Sequence, residues 1–123
     1  MRHSKLEGYR NIYAVDCFQE EFEDVLDETD TNGRYHQWLR RKLSVLDDNR
    51  HGLLMDRDFE KLESTDPKLF AIRYPKSKKN SRVIYVYVDS GGVVLLHTFK
   101  EKSKNDYRSA IKTATNRLKS LEE

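Results

Sequence analysis

A chain of 123 residues with 36% charged and 37% apolar side chains is long enough to bury one core and too short for two. Its 11% aromatic content argues against disorder, no run reaches the roughly 20 apolar residues of a membrane span, and Met1 to Glu7 has no apolar signal core, so one folded cytoplasmic domain over residues 1–123 is expected. The lone cysteine, Cys17, excludes an intrachain disulfide and a multi-cysteine zinc site, and reads as a small core residue at a strand end.

In chain order, Tyr9 to Phe18 carries Ile12, Tyr13, Ala14 and Val15 and predicts a first strand. Phe18, Phe22, Val25 and Leu26 then recur at helical spacing, with Glu20, Glu21, Glu23, Asp24, Asp27 and Glu28 between them. That pattern is an amphipathic helix with an acidic outer face. Asp30-Thr-Asn-Gly33 breaks it, and Tyr35, Trp38, Leu39, Lys42, Leu43 and Leu46 form a second helical set running towards Gly52, so a helical hairpin is expected. A third helical piece is expected from Asp56 to Glu63, with Phe59 and Leu62 inward, before the turn at Asp66-Pro67.

From Leu69 the period changes to two. Leu69 to Tyr74, Arg82 to Val88 and Val93 to Phe99 predict three strands, and Asp89-Ser-Gly-Gly92 joins the last two as an antiparallel hairpin. Those strands are apolar on both faces, so both faces of the sheet need cover. A last helix has Asn105 or Asp106 as its N-cap and Ile111, Ala114, Leu118 and Leu121 as its buried stripe, with Arg117 and Lys119 suiting its C-terminal dipole. The order predicts an α+β domain built on a mostly antiparallel sheet.

The net charge of +2 hides a segregation: residues 1–66 hold 10 Lys/Arg against 16 Asp/Glu, and residues 67–123 hold 13 against 5. A basic C-terminal part suits a polyanion and leaves the acidic part to solvent or a protein partner. The chain has no Gly-rich phosphate loop, no His-Glu-x-x-His helix and no Gly-x-Ser-x-Gly elbow. His3, His36, His51 and His97 have no second ligand at short metal-binding spacing, so neither metal nor cofactor is expected.

What remains is cationic: Arg73, the loop cations Lys76, Lys78 and Lys79, Arg82, and His97, Lys100, Lys102 and Lys104 at the end of the third strand. The Asp89–Gly92 reversal should make Arg82 and Lys100 neighbours and bring Arg73 to the same edge. Metal-free RNA cleavage needs a base for the 2′-OH, an acid for the leaving 5′-oxygen and positive charge on the phosphate. His97 is the local residue of a type that titrates near neutrality, and it reads equally as a sheet residue alternating with Val93, Leu95 and Phe99. Arg73 reads also as a structural partner of an acidic helix residue, and Lys76, Lys78 and Lys79 as a solvated loop.

Three runs, Leu69-Phe-Ala-Ile-Arg73-Tyr-Pro, Lys78-Lys-Asn-Ser-Arg82-Val-Ile-Tyr85 and Val94-Leu-Leu-His97-Thr-Phe99-Lys-Glu-Lys102, together resemble the RelE/ParE superfamily of toxins in its HigB-like, phage-derived branch. Before Leu69 the likeness is one of element order only. The resemblance implies a RelE-like fold and a ribosome-associated messenger RNA interferase. It also implies a cognate antitoxin as partner, of a HigA-like, helix-turn-helix kind. Carried onto this chain, it implies that Arg73 and Arg82 grip the scissile phosphate with Lys100 and Lys102 and that His97 is the motif histidine, while Lys76, Lys78, Lys79 and Lys104 are expected to bind RNA as part of the clustered cations. Ala71-Ile72 and Glu101 depart from the family pattern, and the second leaves open which of Lys100 and Lys102 faces substrate. ParE-like gyrase poisoning without a nuclease centre, and a non-catalytic RNA-binding module, are the competing readings.

Overall fold

The computed structural model describes residues 2–29, 33–48, 56–62, 68–74, 80–88 and 91–122. The elements are β1 (His3–Lys5), β2 (Ile12–Val15), α1 (Phe18–Thr29), α2 (Arg34–Asp48), β3 (Phe59–Lys61), β4 (Phe70–Arg73), β5 (Asn80–Tyr87), β6 (Val93–Glu101) and α3 (Lys104–Glu122). The strands form one six-stranded sheet in the order β1-β2-β6-β5-β4-β3. All neighbours are antiparallel except β2 and β6, so the sheet is mixed and the domain is α+β.

The helices form where the apolar periodicity placed them. Phe18, Phe22 and Val25 are buried on α1, and Tyr35, Trp38, Leu39, Leu43 and Leu46 on α2. Gly33, at φ 72°, adopts a backbone that disfavours side chains and accepts the first helical bond of α2 from Gln37 N–H. The C-terminal end of α2 is tied to the sheet by Asp47, a buried carboxylate that accepts N–H bonds from Arg10 at 3.0 Å and Asn11 at 2.7 Å. The α3 N-terminus differs from expectation. Ser103 Oγ accepts the Asp106 N–H, so Ser103 takes the cap position, and the Asp106 side chain accepts the N–H of Lys102, the residue before it.

Two short strands lie outside the predicted set. The Asp56–Glu63 segment was expected to be helical, yet Phe59–Lys61 pairs with β4, Phe59 opposite Ile72 and Lys61 opposite Phe70. The i, i+3 spacing of Phe59 and Leu62 fits either state; burial of both against the sheet, with Lys42 ion-paired to Asp56 and Asp58, selects the strand. β1 is a fully exposed three-residue strand made by pairing with β2. The Asp30–Asn32, Asp66-Pro67 and Asp89-Ser90 turn positions lie outside the described residues.

The register assigns the two sheet faces. Phe59, Ile72, Tyr74 and Val83 share one face, where Tyr74 lies against Tyr35 and Trp38 of α2, with centroids at 5.0 and 4.9 Å. Glu60, Ala71, Arg73, Arg82, Ile84 and Phe99 share the other, where α3 presents Tyr107. Cover on both sides explains why Val83, Ile84 and Tyr85 are all buried in succession. The β5–β6 reversal uses Gly91 at φ 89°, and Gly92 lets β2 approach: a Cβ there would sit 3.2 Å from the Tyr13 ring and 3.3 Å from the Asn11 carbonyl. Among the described residues, no helix is long and apolar enough to cross a membrane.

Candidate functional site

Strand β6 carries the site. β2 pairs with it only from Val93 to Leu95, so the strand edge beyond Leu95 is open to α1 and α3, which both pack against β6. The β5 register jumps from Tyr85 opposite Leu95 to Ile84 opposite His97, which makes Leu96 the extra residue of a bulge. That extra residue reverses the alternation. His97 therefore does not share a face with Val93 and Leu95, as simple alternation would have it; it shares the Ile84 face with Phe99.

The predicted arginine pair meets but does different things. Arg73 and Arg82 are directly opposite across β4 and β5. Arg73 is exposed and forms no ion pair with any described residue, so the acidic helix partner considered for it is absent there. Arg82 is buried, with 8% of its side chain exposed, between Glu60 at 2.9 Å and Glu101 at 2.7 Å, its guanidinium 4.5 Å over the Tyr107 ring. The Glu60 contact is an aligned hydrogen bond; the Glu101 contact is an ion pair whose N–H does not point at the oxygen, and Arg82 Nε meets no acceptor. Tyr107 closes the group by donating to Glu60 at 2.8 Å, and its hydroxyl pKa is pushed well up, first by burial and then by that carboxylate. Arg82 is thus a neutralised cation under α3 rather than an open phosphate ligand.

The expected Arg82–Lys100 neighbourhood is also corrected. Lys100 stands opposite Ser81 and Arg82 opposite Phe99, so the two point to opposite faces. Lys100 and Lys102 instead line a shallow depression of about 200 Å³ with Asp24 and Val25 of α1. Lys104 is exposed at the start of α3. Lys76, Lys78 and Lys79 lie outside the described residues.

His97 joins the two helices. Its Nδ1 lies 3.0 Å from Glu21 Oε1, and Glu21 takes both terminal nitrogens of Arg117, each at 2.7 Å. Arg117 Nη1 also donates at 2.9 Å to the carbonyl of Leu96, the bulged residue. Phe99 stacks on the imidazole at 5.5 Å and 9°. Glu21, Asp24 and Val25 lie one helical turn apart, so the same stretch of α1 faces His97 at one end and Lys100 and Lys102 at the other. Glu21 and Arg117 were legible only as members of an acidic helix face and a basic helix end. Their partnership spans 96 residues and has no local signal.

Burial alone would raise the Glu21 carboxyl, but hydrogen bonds with Arg117 and His97 and their charges outweigh it and hold the pKa down to about 2, from an ordinary 4.5. A depressed carboxylate contributes stability that is complete above its unfolded value and lost as pH falls through its folded one. Between pH 4.5 and 2 the protein should therefore lose about 3 kcal/mol through this group. Urea denaturation across that range, on the wild type and Glu21→Gln, should show the stability gap between them closing as pH falls. A gap that stays constant would contradict the assignment.

A six-stranded mixed sheet with helices on both faces, a histidine–carboxylate–guanidinium group at an open strand edge and two lysines further along the same chain segment, turned to a separate depression against α1, define a small α+β domain. Residues 26–119, about three quarters of the chain, match the family model described as Phage derived protein Gp49-like (DUF891), and the chain belongs to this family, one associated with RelE-like toxins. No curated protein and no solved structure gives a match.

Proposed function

We propose that the protein is the toxin of a toxin–antitoxin pair: a metal-independent endoribonuclease of the RelE/HigB-like kind that cuts messenger RNA on the ribosome and is silenced by a helix-turn-helix antitoxin. The observation that carries this reading is His97, tethered through Nδ1, with Nε2 bonded to no described residue, on the strand that continues into Lys100 and Lys102. In the proposed reaction the 2′-OH proton passes to His97 as the 2′-oxygen bonds to phosphorus. The bond from phosphorus to the 5′-oxygen breaks, that oxygen takes a proton from water, and the hydroxide so formed takes the proton back from His97. The exposed Arg73, on the same sheet face as His97, offsets the charge on the phosphate, since Arg82 is already neutralised by Glu60 and Glu101, and Lys100 and Lys102 hold the flanking RNA backbone.

This chemistry leaves a 2′,3′-cyclic phosphate on one fragment and a 5′-hydroxyl on the other. Induction in cells followed by mapping of new RNA 5′ ends should therefore recover hydroxyl ends, and cleavage of ribosome-free RNA by the purified protein should persist in excess EDTA. Activity restored only by Mg²⁺ or Mn²⁺, or 5′-phosphate ends, would defeat the reading. The neutralised Arg82 favours one second reading, a ParE-like gyrase poison without a nuclease centre. That protein would produce DNA breaks on induction and no new RNA ends.

A further inference from the structure

We infer that Glu21 is a positioning residue that fixes the tautomer of His97, keeping the ring proton on Nδ1 and leaving Nε2 as the nitrogen that accepts a proton from substrate. The role rests on the nuclease reading above, while the placement of the proton does not. Two groups approach Nδ1: Glu21 Oε1 at 3.0 Å and Arg117 Nη1 at 3.3 Å. Nη1 has two hydrogens, and two oxygens at shorter range take them, Glu21 Oε1 at 2.7 Å and the Leu96 carbonyl at 2.9 Å. Arg117 can therefore offer Nδ1 only a hydrogen that it shares with a nearer oxygen, a weaker bond than either of those two. An unprotonated Nδ1 would set its lone pair against a carboxylate oxygen, whereas an N–H there makes a charge-assisted bond.

Glu21 cannot swing away, because its two oxygens are each held by Arg117. Its charge is met by that guanidinium, so its effect on the ring is directional: it selects which nitrogen carries the proton. The stacked Phe99 and the Leu96 bulge hold the ring in that orientation. The ionisable groups facing this cluster are Glu21 and Cys17 from the α1 end and Arg117 from α3. Glu21 precedes the segment that the family model matches, so its role belongs to this chain's own N-terminal part.

The test is a two-bond ¹H–¹⁵N correlation spectrum of the ¹⁵N-labelled full chain at a pH where the His97 ring is neutral, its signals assigned by their loss in His97→Gln. The wild type should show the proton on Nδ1. Glu21→Ala should move it to Nε2 and lower the rate of RNA cleavage by about 10²-fold, in kcat rather than KM, because the lysines that hold RNA are untouched. Glu21→Gln, which keeps an acceptor oxygen, should restore most of both. A wild-type ring protonated on Nε2 overturns the inference, and needs no variant to fold. So does folded Glu21→Ala that cleaves at the wild-type rate. A ring protonated on Nδ1 in a protein that cleaves no RNA overturns the nuclease reading and the positioning role with it.

Discussion

Arg82→Ala is expected to destabilise the fold by about 3–5 kcal/mol, a large fraction of the roughly 5–15 kcal/mol of an ordinary domain. The side chain is buried, and removing it leaves Glu60 and Glu101 facing one another across β4 and β5 without the cation between them. Tyr107 loses the guanidinium on its ring as well, which loosens the start of α3. Urea denaturation of the purified variant measures the effect directly. Arg82→Met combined with Glu60→Gln and Glu101→Gln should recover part of the loss, because it removes the stranded charges along with their partner. Wild-type stability in Arg82→Ala would show that the cluster contributes nothing. Loss of growth inhibition in this variant is a folding effect and carries no information about phosphate binding. Arg73, exposed on the same face, is the arginine whose substitution tests that question cleanly.

His97→Ala should do the opposite, removing chemistry and sparing the fold. Deleting the imidazole leaves Glu21 and Arg117 bound to each other through two contacts of 2.7 Å, and the Leu96 carbonyl keeps its donor, so no buried charge is left alone. The expected result is a melting temperature within a few degrees of wild type and RNA cleavage lower by about 10²–10⁴-fold, the range of a lost general acid–base group. Lys100→Ala and Lys102→Ala should weaken RNA binding instead, with the loss growing smaller as salt rises. Retained cleavage in folded His97→Ala would remove His97 from the mechanism and leave the lysine-lined edge as a binding surface.

Amino-acid order by itself determined the elements whose signal is local. Phe18, Phe22 and Val25 on α1, the longer stripe on α2 and the two-residue period of β4, β5 and β6 each repeat often enough to select one backbone state, and Gly91-Gly92 marks the reversal between the last two strands. The same runs carried the family resemblance, and with it Arg73, Arg82, His97, Lys100 and Lys102 as a set. Only the tertiary structure decided where each of these points and what it meets. A single extra residue at Leu96 turns His97 to the opposite face from Val93 and Leu95, and a bulge has no composition of its own. Three-residue strands such as β1 and β3 exist because a partner supplies their hydrogen bonds, so a short window along the chain cannot reveal them. The charge partners are further apart still: Glu21 meets Arg117, and Arg82 meets Glu60, across separations of 96 and 22 residues. Which cation is open and which is neutralised depends on those non-local meetings, because a charge acts through space and the chain must fold before its neighbours are set.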